Sequence, residues 1–268
     1  GPWVGEFGWE LFSWQAYARS IARRFDKVVV ISRPGNQYLY SDFSDFYLPF
    51  SPPLDGVADS HMNSSVKDFN MQEFLMATLD PGILKKYNWS WLPPTKIGNP
   101  PYEHWRNAVE ISGFGNVVPS YKLYRGKCES DYADIIIHAR NREIREQDNW
   151  SKENWQTVVR GLSSGYKIIS IGTSTSSLHI EGTSDYRGVS LESLAGLMKT
   201  AKCIVGPSSG PLHLATLCGC PQVWWTSNPN QNYSRYKEMW NPFLVESTML
   251  SSDNPKPQKV IDTILNFL

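Results

Sequence analysis

The feature that most limits what this chain can fold into is an alternation, in its second half, of short apolar runs with amphipathic stretches. Residues 134–138 (Asp-Ile-Ile-Ile-His) form a continuous apolar run of the kind a parallel sheet buries on both faces. Residues 166–171, 202–205 and 222–225 repeat the theme. Between and after them, residues 151–162, 191–200, 210–218 and 260–268 read as helices, with Ser151 and Ser190 placed as N-caps. Strands that alternate with helices are joined by right-handed crossovers, so this half predicts a doubly wound parallel sheet.

The first half is irregular and aromatic. Gly5-Glu6-Phe7-Gly8 is a glycine-punctuated loop, and residues 9–24 then read as a helix carrying Leu11, Phe12, Trp14, Ala18, Ile21 and Ala22 at roughly helical spacing. Residues 27–32 are a buried-strand run, so the strand–helix–strand pattern begins before residue 1, its first strand missing or very short. Residues 41–57, with Pro49, Pro52 and Pro53, read as loop and short strand. A helix over 69–79 is stopped by Pro81-Gly82, and 93–101 is a further break. The polar stretch 122–131 places a domain boundary near residue 125.

Composition narrows the class. Lysine plus arginine equals aspartate plus glutamate at 26 each, which argues against a protein whose main work is gripping nucleic acid. With 41% apolar and 19% charged residues the chain is not a disordered one. No apolar run approaches the ~18 to 20 residues that cross a bilayer, and no secretory signal is visible. Cys128, Cys203, Cys218 and Cys220 match no zinc-finger or ribbon spacing and read as reduced structural thiols of a cytoplasmic protein. Asn-X-Ser triplets at Asn63, Asn88, Asn149 and Asn232 point toward secretion, on a motif that is short and common.

Three segments carry chemistry. In the run Cys203-Ile-Val-Gly206-Pro-Ser208-Ser209-Gly210-Pro-Leu-His213-Leu-Ala215, a strand ends, a Gly/Ser turn follows and a helix opens. Free amides and the helix dipole then face whatever lies beyond the strand end, where phosphates sit in open α/β sheets. The alternative is a purely structural turn. The second segment, His138-Ala-Arg140-Asn141-Arg142, leaves an apolar strand, and arginine suits a diphosphate through paired charge-assisted hydrogen bonds. Arg145 reads instead as part of a solvated loop. The third is Gly5-Glu6-Phe7-Gly8-Trp9-Glu10, whose carboxylates either serve as a base or merely suit a helix start and a solvated loop.

The order Ser190-Leu-Glu-Ser-Leu194, Cys203-Ile-Val-Gly206, Gly210-Pro-Leu-His213-Leu-Ala215 and Gly219-Cys-Pro221 resembles the bacterial heptosyltransferase family over residues 134–226. That resemblance implies a GT-B fold: two Rossmann-like lobes whose parallel sheets face a central cleft. It implies an acceptor-binding lobe over 1–125, a nucleotide-sugar lobe over 126–250 and a C-terminal helix, 251–268, packing back toward the first lobe. It further implies transfer of a sugar from a nucleotide diphosphate sugar, a co-substrate rather than a cofactor, to a hydroxyl on a glycan or a modified nucleobase in DNA, inverting and without a required metal. Arg140, Arg142, Gly172, Thr173, Ser208, Ser209, Gly210 and His213 then fall to the donor, and Glu10, with Glu6 in reserve, to the base. Ser208 stands where the family has aspartate, so donor identity does not carry over. His213 reads equally as a satisfied interior histidine. The His-X-Arg run is similar, too, to GT-B fucosyltransferases. A sugar-binding module without catalysis and a GT-B-type epimerase are the alternatives.

Overall fold

The computed structural model describes residues 2–51, 69–94, 108–127, 132–143, 145–238 and 240–268. Asn63, Pro52, Pro53, Cys128 and parts of the expected breaks lie outside these. The chain divides into two compact units, Gly1–Ser120 and Tyr121–Leu268. Among the described residues no helix is long and apolar enough to cross a membrane.

In the first unit, helix α1 (Phe7–Trp9) runs into a π-helical turn, Glu10–Trp14, and on into α2 (Gln15–Ala22). The turn is defined by the Gln15 amide reaching back five residues to the Glu10 carbonyl. Strand β1 (Val29–Ser32) pairs in parallel with β2 (Phe46–Pro49), Val29 opposite Phe46. Trp3 donates its amide to Ile31 O at 3.0 Å, so the extended start of the chain lies against β1 as well. The expected helix over 69–79 is α3 (Met71–Thr78), capped by Asn70. Pro81-Gly82 does more than stop it. Asp80 caps a further helix, α4 (Pro81–Lys86), because a proline in a first turn gives up an amide that would go unused there. A hairpin, β3 (Val109–Ile111) with β4 (Gly115–Val117), was not foreseen.

The second unit is the doubly wound sheet that the alternation called for. Its strands are β5 (Ile135–Ile137), β6 (Ile168–Gly172), β7 (Ser184–Arg187), β8 (Cys203–Pro207), β9 (Gln222–Trp225) and β10 (Ser247–Met249). All pair in parallel, in the order β10-β9-β8-β5-β6-β7. The helices are α5 (Lys152–Leu162), α6 (Leu191–Thr200), α7 (Gly210–Cys218), α8 (Pro229–Glu238) and α9 (Pro257–Phe267). Ser151 and Ser190 cap α5 and α6 through their hydroxyls. Helix α9 packs on α5, where a Cβ at Gly161 would meet Ile261 at 2.8 Å. One core cluster joins Ile135, Ile137, Val205 and Val223 of the sheet to Trp155, Val260 and Ile264 of these helices. Trp150, Trp155 and Trp225 meet edge-on or tilted within it at 4.9 to 5.6 Å.

Candidate functional site

The sheet order fixes where ligand chemistry belongs. From β5 the chain steps outward to β6 and β7, then returns across to β8 on the other side of β5 and continues to β9 and β10. The loops that leave β5 and β8 therefore part in opposite directions, and the carboxyl ends of these two strands are where an open sheet of this order places a ligand. His138 follows β5 and Ser209 follows β8; their side chains meet across this point, Ser209 Oγ to His138 Nδ1 at 2.9 Å.

Gly210 opens α7 with Pro211 behind it, a placement proline tolerates because first-turn amides have no intrahelical acceptor. The Ser208 amide is committed to Trp225 O at 2.7 Å. The amides of Ser209 and Gly210 have no protein acceptor among the described residues and sit at the positive end of the α7 dipole. Ser208 is half-buried, and its Oγ accepts from the Tyr236 hydroxyl at 3.4 Å. A Cβ at Gly206 would press on the backbone at 3.0 Å from His138 O, so the site favours glycine.

Arg140 is 3% exposed. Its Nη1 donates to Arg145 O at 2.9 Å and to Asn149 Oδ1, so the guanidinium gathers the loop that follows β5. Asn149 also receives the Arg142 amide at 3.1 Å and returns a bond from Nδ2 to Arg142 O at 2.8 Å. Arg142 is half-buried and Arg145 exposed, the latter in the left-handed region at φ 57°. Gly172 ends β6 at φ 123°, and a Cβ there would come within 2.7 Å of Ser177 Cβ and 3.1 Å of His138 Cδ2. Thr173 is exposed and closes a turn through Ser176, whose amide it accepts at 3.1 Å.

His213 is buried in α7, its ring 4.5 Å from Trp240 and 5.2 Å from Tyr236. Burial first, and then the charge of Arg145, pushes its pKa down to about 3. His138 is pushed down to about 3 as well, by burial and then by Arg140 and Arg142. Both imidazoles are neutral at pH 7 and both feel the arginines of one loop. The carboxyl edge of β5 and β8 thus combines helix-start amides, hydroxyls and a positive field, the chemistry an oligophosphate needs. Tyr236, stacked on Trp224 at 3.8 Å, and Arg187, whose Nη1 donates to Ser177 O at 2.9 Å, also stand at this edge and were not foreseen.

In the first unit Glu10 is fully buried. Its Oε1 accepts from Ser32 Oγ at 2.6 Å and from the Tyr40 hydroxyl, and its Oε2 from Asn36 Nδ2 at 2.7 Å. Desolvation raises its pKa to about 7, opposed by those donors and by Arg33. Glu10 ties the π-helical turn to the end of β1 and to the 3-10 turn Gln37–Tyr40. Glu6, half-buried, precedes α1 in extended conformation. Cys203, Cys218 and Cys220 are buried free thiols, and burial pushes Cys203 up to about 12. Among the described residues no group of three or more histidine, cysteine or acidic side chains could hold a metal.

No protein-family model matches the chain, and no curated protein matches it. Among solved structures, the ADP-heptose lipopolysaccharide heptosyltransferase II of E. coli is similar with a TM-score of 0.54 and 14% identity over 100% of this chain and 96% of that one. A glycosyl transferase family 9 structure from Veillonella parvula has a TM-score of 0.43 and 14% identity over 94% and 77% of the two chains. An E. coli heptosyltransferase solved with ADP has a TM-score of 0.40 and 12% identity over 93% and 76%. The first likeness is one of fold, and it agrees with the α/β architecture and large parallel sheet expected of GT-B. Nothing in these comparisons supports the likeness of His-X-Arg to fucosyltransferases.

Proposed function

We propose that the chain is a glycosyltransferase, moving a sugar from a nucleotide diphosphate sugar to the hydroxyl of a glycan or of a modified nucleobase in DNA. The observation that carries the reading is the Ser209–His138 bridge at the point where the loops after β5 and β8 diverge, beside two helix-start amides and under the field of three arginines. The heptosyltransferase fold likeness supports it at the level of architecture.

In this reading the donor's diphosphate rests on the Ser209 and Gly210 amides. As the bond to the sugar breaks, negative charge builds on the leaving diphosphate, and preorganised donors stabilise it without reorganising. His138, neutral, fixes the Ser209 hydroxyl: a proton on Nδ1 donated to Oγ leaves the hydroxyl hydrogen to the phosphate. Arg140 holds the following loop so that Arg142 and Arg145 contribute charge. Gly172 and Thr173 line the nucleoside, and His213 backs the α7 turn. The proton lost by an attacking hydroxyl goes to a carboxylate, as in the inverting, metal-independent chemistry the sequence resemblance implies. Glu10 has both oxygens engaged, tying the start of the first helix to the end of β1, and Glu6, just ahead of α1, takes the proton.

The test is a thermal-shift panel of UDP, GDP, CDP and ADP with their sugars, followed by turnover assays on the one that binds. Saturation with the right nucleotide at ~100 times its Kd raises stability by about 2.7 kcal/mol. No shift with any of them at millimolar concentration would sink the proposal. The complete burial of Glu10 favours a second reading, a nucleotide-sugar-binding module; binding without turnover against any acceptor is its signature.

A further inference from the structure

The six-stranded sheet of the second unit has two edges, and they are built differently. Edge strand β7 carries Asp185 and Arg187, joined to each other by paired hydrogen bonds of 2.8 Å. Charge on an edge strand discourages another strand from adding to it. At the other edge, residues 247–250 (Ser-Thr-Met-Leu) carry no charge. Among the described residues, β9 is the one strand that pairs with β10.

Gln222 donates its amide to Glu246 O at 3.1 Å, and Leu250 donates to Trp224 O at 2.8 Å, so the even-numbered residues of β10 turn their backbone groups toward β9. Ser247 and Met249 turn theirs to the open edge, where no described residue bonds them. Thr248 stands opposite Val223, and Leu250 shares a core cluster with Val223, Trp225 and Val260 of α9, so the even-numbered side chains point to the face that α9 covers. A groove of about 490 Å³ between this strand and α9 is bordered by Glu246, Thr248, Leu250, Lys259, Thr263 and Asn266. Because α9 follows β10 and packs back over the same sheet, Lys259 in its first turn lies by the strand's end, and Asn266 by its start. Glu246 and Lys259, at opposite ends of the groove, are exposed and have no ion-pair partner among the described residues.

We propose that this edge receives β10 of a second copy of this chain, antiparallel across a two-fold axis at Thr248. Open-edge residues must meet open-edge residues, so Ser247 faces the copy's Met249 and Met249 the copy's Ser247, exchanging both backbone hydrogen bonds in each pair. An axis normal to the sheet keeps both α9 helices on one face, flanking the new ladder. The same register sets the copy's Glu246 opposite Leu250, on the α9 face and beside Lys259. Each end of the closed groove then gains an ion pair, and this charge match is what selects a second copy over an unrelated strand. The inference is independent of the transferase reading.

Sedimentation equilibrium of the 268-residue chain is expected to show monomer and dimer in exchange. Thr248→Cys should give a disulfide-linked dimer under mild oxidation, because residues opposed in a non-hydrogen-bonded pair stand about 4.5 Å apart between Cα atoms, within disulfide reach. Ser247→Cys, which would face Met249 rather than itself, should link far more slowly. Met249→Pro removes an amide that faces the open edge and spares the ladder to β9, so it should raise the dimer's Kd about tenfold or more, two symmetry-related hydrogen bonds being lost. Glu246→Lys and Lys259→Glu should each weaken the dimer severalfold, and the double reversal should recover it. A chain that stays monomeric at every soluble concentration overturns the proposal. So does a dimer that none of these variants alters, which would be using another face.

Discussion

Ser209 Oγ and His138 Nδ1, 2.9 Å apart, join the loop that leaves β8 to the loop that leaves β5. On the proposed function, Ser209→Ala lowers affinity for the cognate nucleoside diphosphate about tenfold, the worth of a hydrogen bond to a charged group. Ser209→Thr keeps the hydroxyl and most of the affinity. Titration calorimetry reads both, and a serine deletion without effect would place the phosphate elsewhere.

Arg140→Ala weakens nucleotide binding more than Arg145→Ala, by about 1.5 to 3 kcal/mol or ten- to a hundredfold. Its guanidinium gathers the loop through Asn149 Oδ1 and Arg145 O, so its loss releases the whole 141–149 segment rather than one charge. Asn149→Ala should therefore reproduce part of the loss, and lysine at 140 should restore only part, lacking the paired geometry. Equal effects at 140 and 145 in calorimetry would mark a diffuse basic loop.

Gly172→Ala is expected to cost at least ~2 kcal/mol of stability. Strain at a positive φ contributes about 1 to 3 kcal/mol, and the new Cβ would crowd Ser177 and the His138 ring. Urea denaturation measures it. Gly165→Ala, where a Cβ meets nothing within 4 Å, is the control and should change stability little.

Two opposing proton linkages shape stability between pH 4.5 and 6.5. His138 and His213, held at about 3 in the folded chain against 6.5 unfolded, are protonated preferentially when unfolded, so their contribution is present above 6.5 and lost as pH falls. Glu10, about 7 folded against 4.5 unfolded, keeps its proton in the folded chain, so its contribution is present at low pH and lost as pH rises through that interval. Glu10→Gln removes the second effect only. Acid should then destabilise the variant more steeply than the parent, by about 1.4 kcal/mol per pH unit in denaturant titrations. Parallel curves for the two proteins would show that Glu10 does not hold its proton.

Legibility in the sequence followed burial. The strands at residues 135–137 and 203–207 could be read because a strand covered on both faces must be apolar throughout, and the caps Ser151 and Ser190 because a hydroxyl before an apolar period has a fixed use. Strand β7, Ser-Asp-Tyr-Arg, lies at the sheet's edge and is half-exposed, so it carries no such run. Helix α8 has no apolar stripe beyond Tyr233 and Tyr236, and the role of Tyr236 against Ser208 exists only in three dimensions. At the candidate site, residue identity pointed to Ser209 and Arg140, whereas the direction of each side chain depended on a partner 71 positions away for Ser209 and on partners five and nine positions on for Arg140. The carboxyl of Glu10 could be placed at a helix start by its position, but its enclosure by Ser32, Asn36 and Tyr40 could not, because those partners lie 22 to 30 residues on.

The π-helical turn at Glu10–Trp14 makes this stretch sensitive to length rather than to composition. It holds one residue more than a regular helix would use to cover the same rise. Deleting one residue from it would let the helix run on in ordinary geometry with the parts on either side nearly in register, whereas inserting one more would swing everything ahead of it about 100° around the axis relative to Gln15–Ala22. Glu10 would then leave Ser32, Asn36 and Tyr40 together, and α1 ahead of it would go with it. Substitutions within the turn disturb one contact at a time, whereas a single-codon insertion would undo all three.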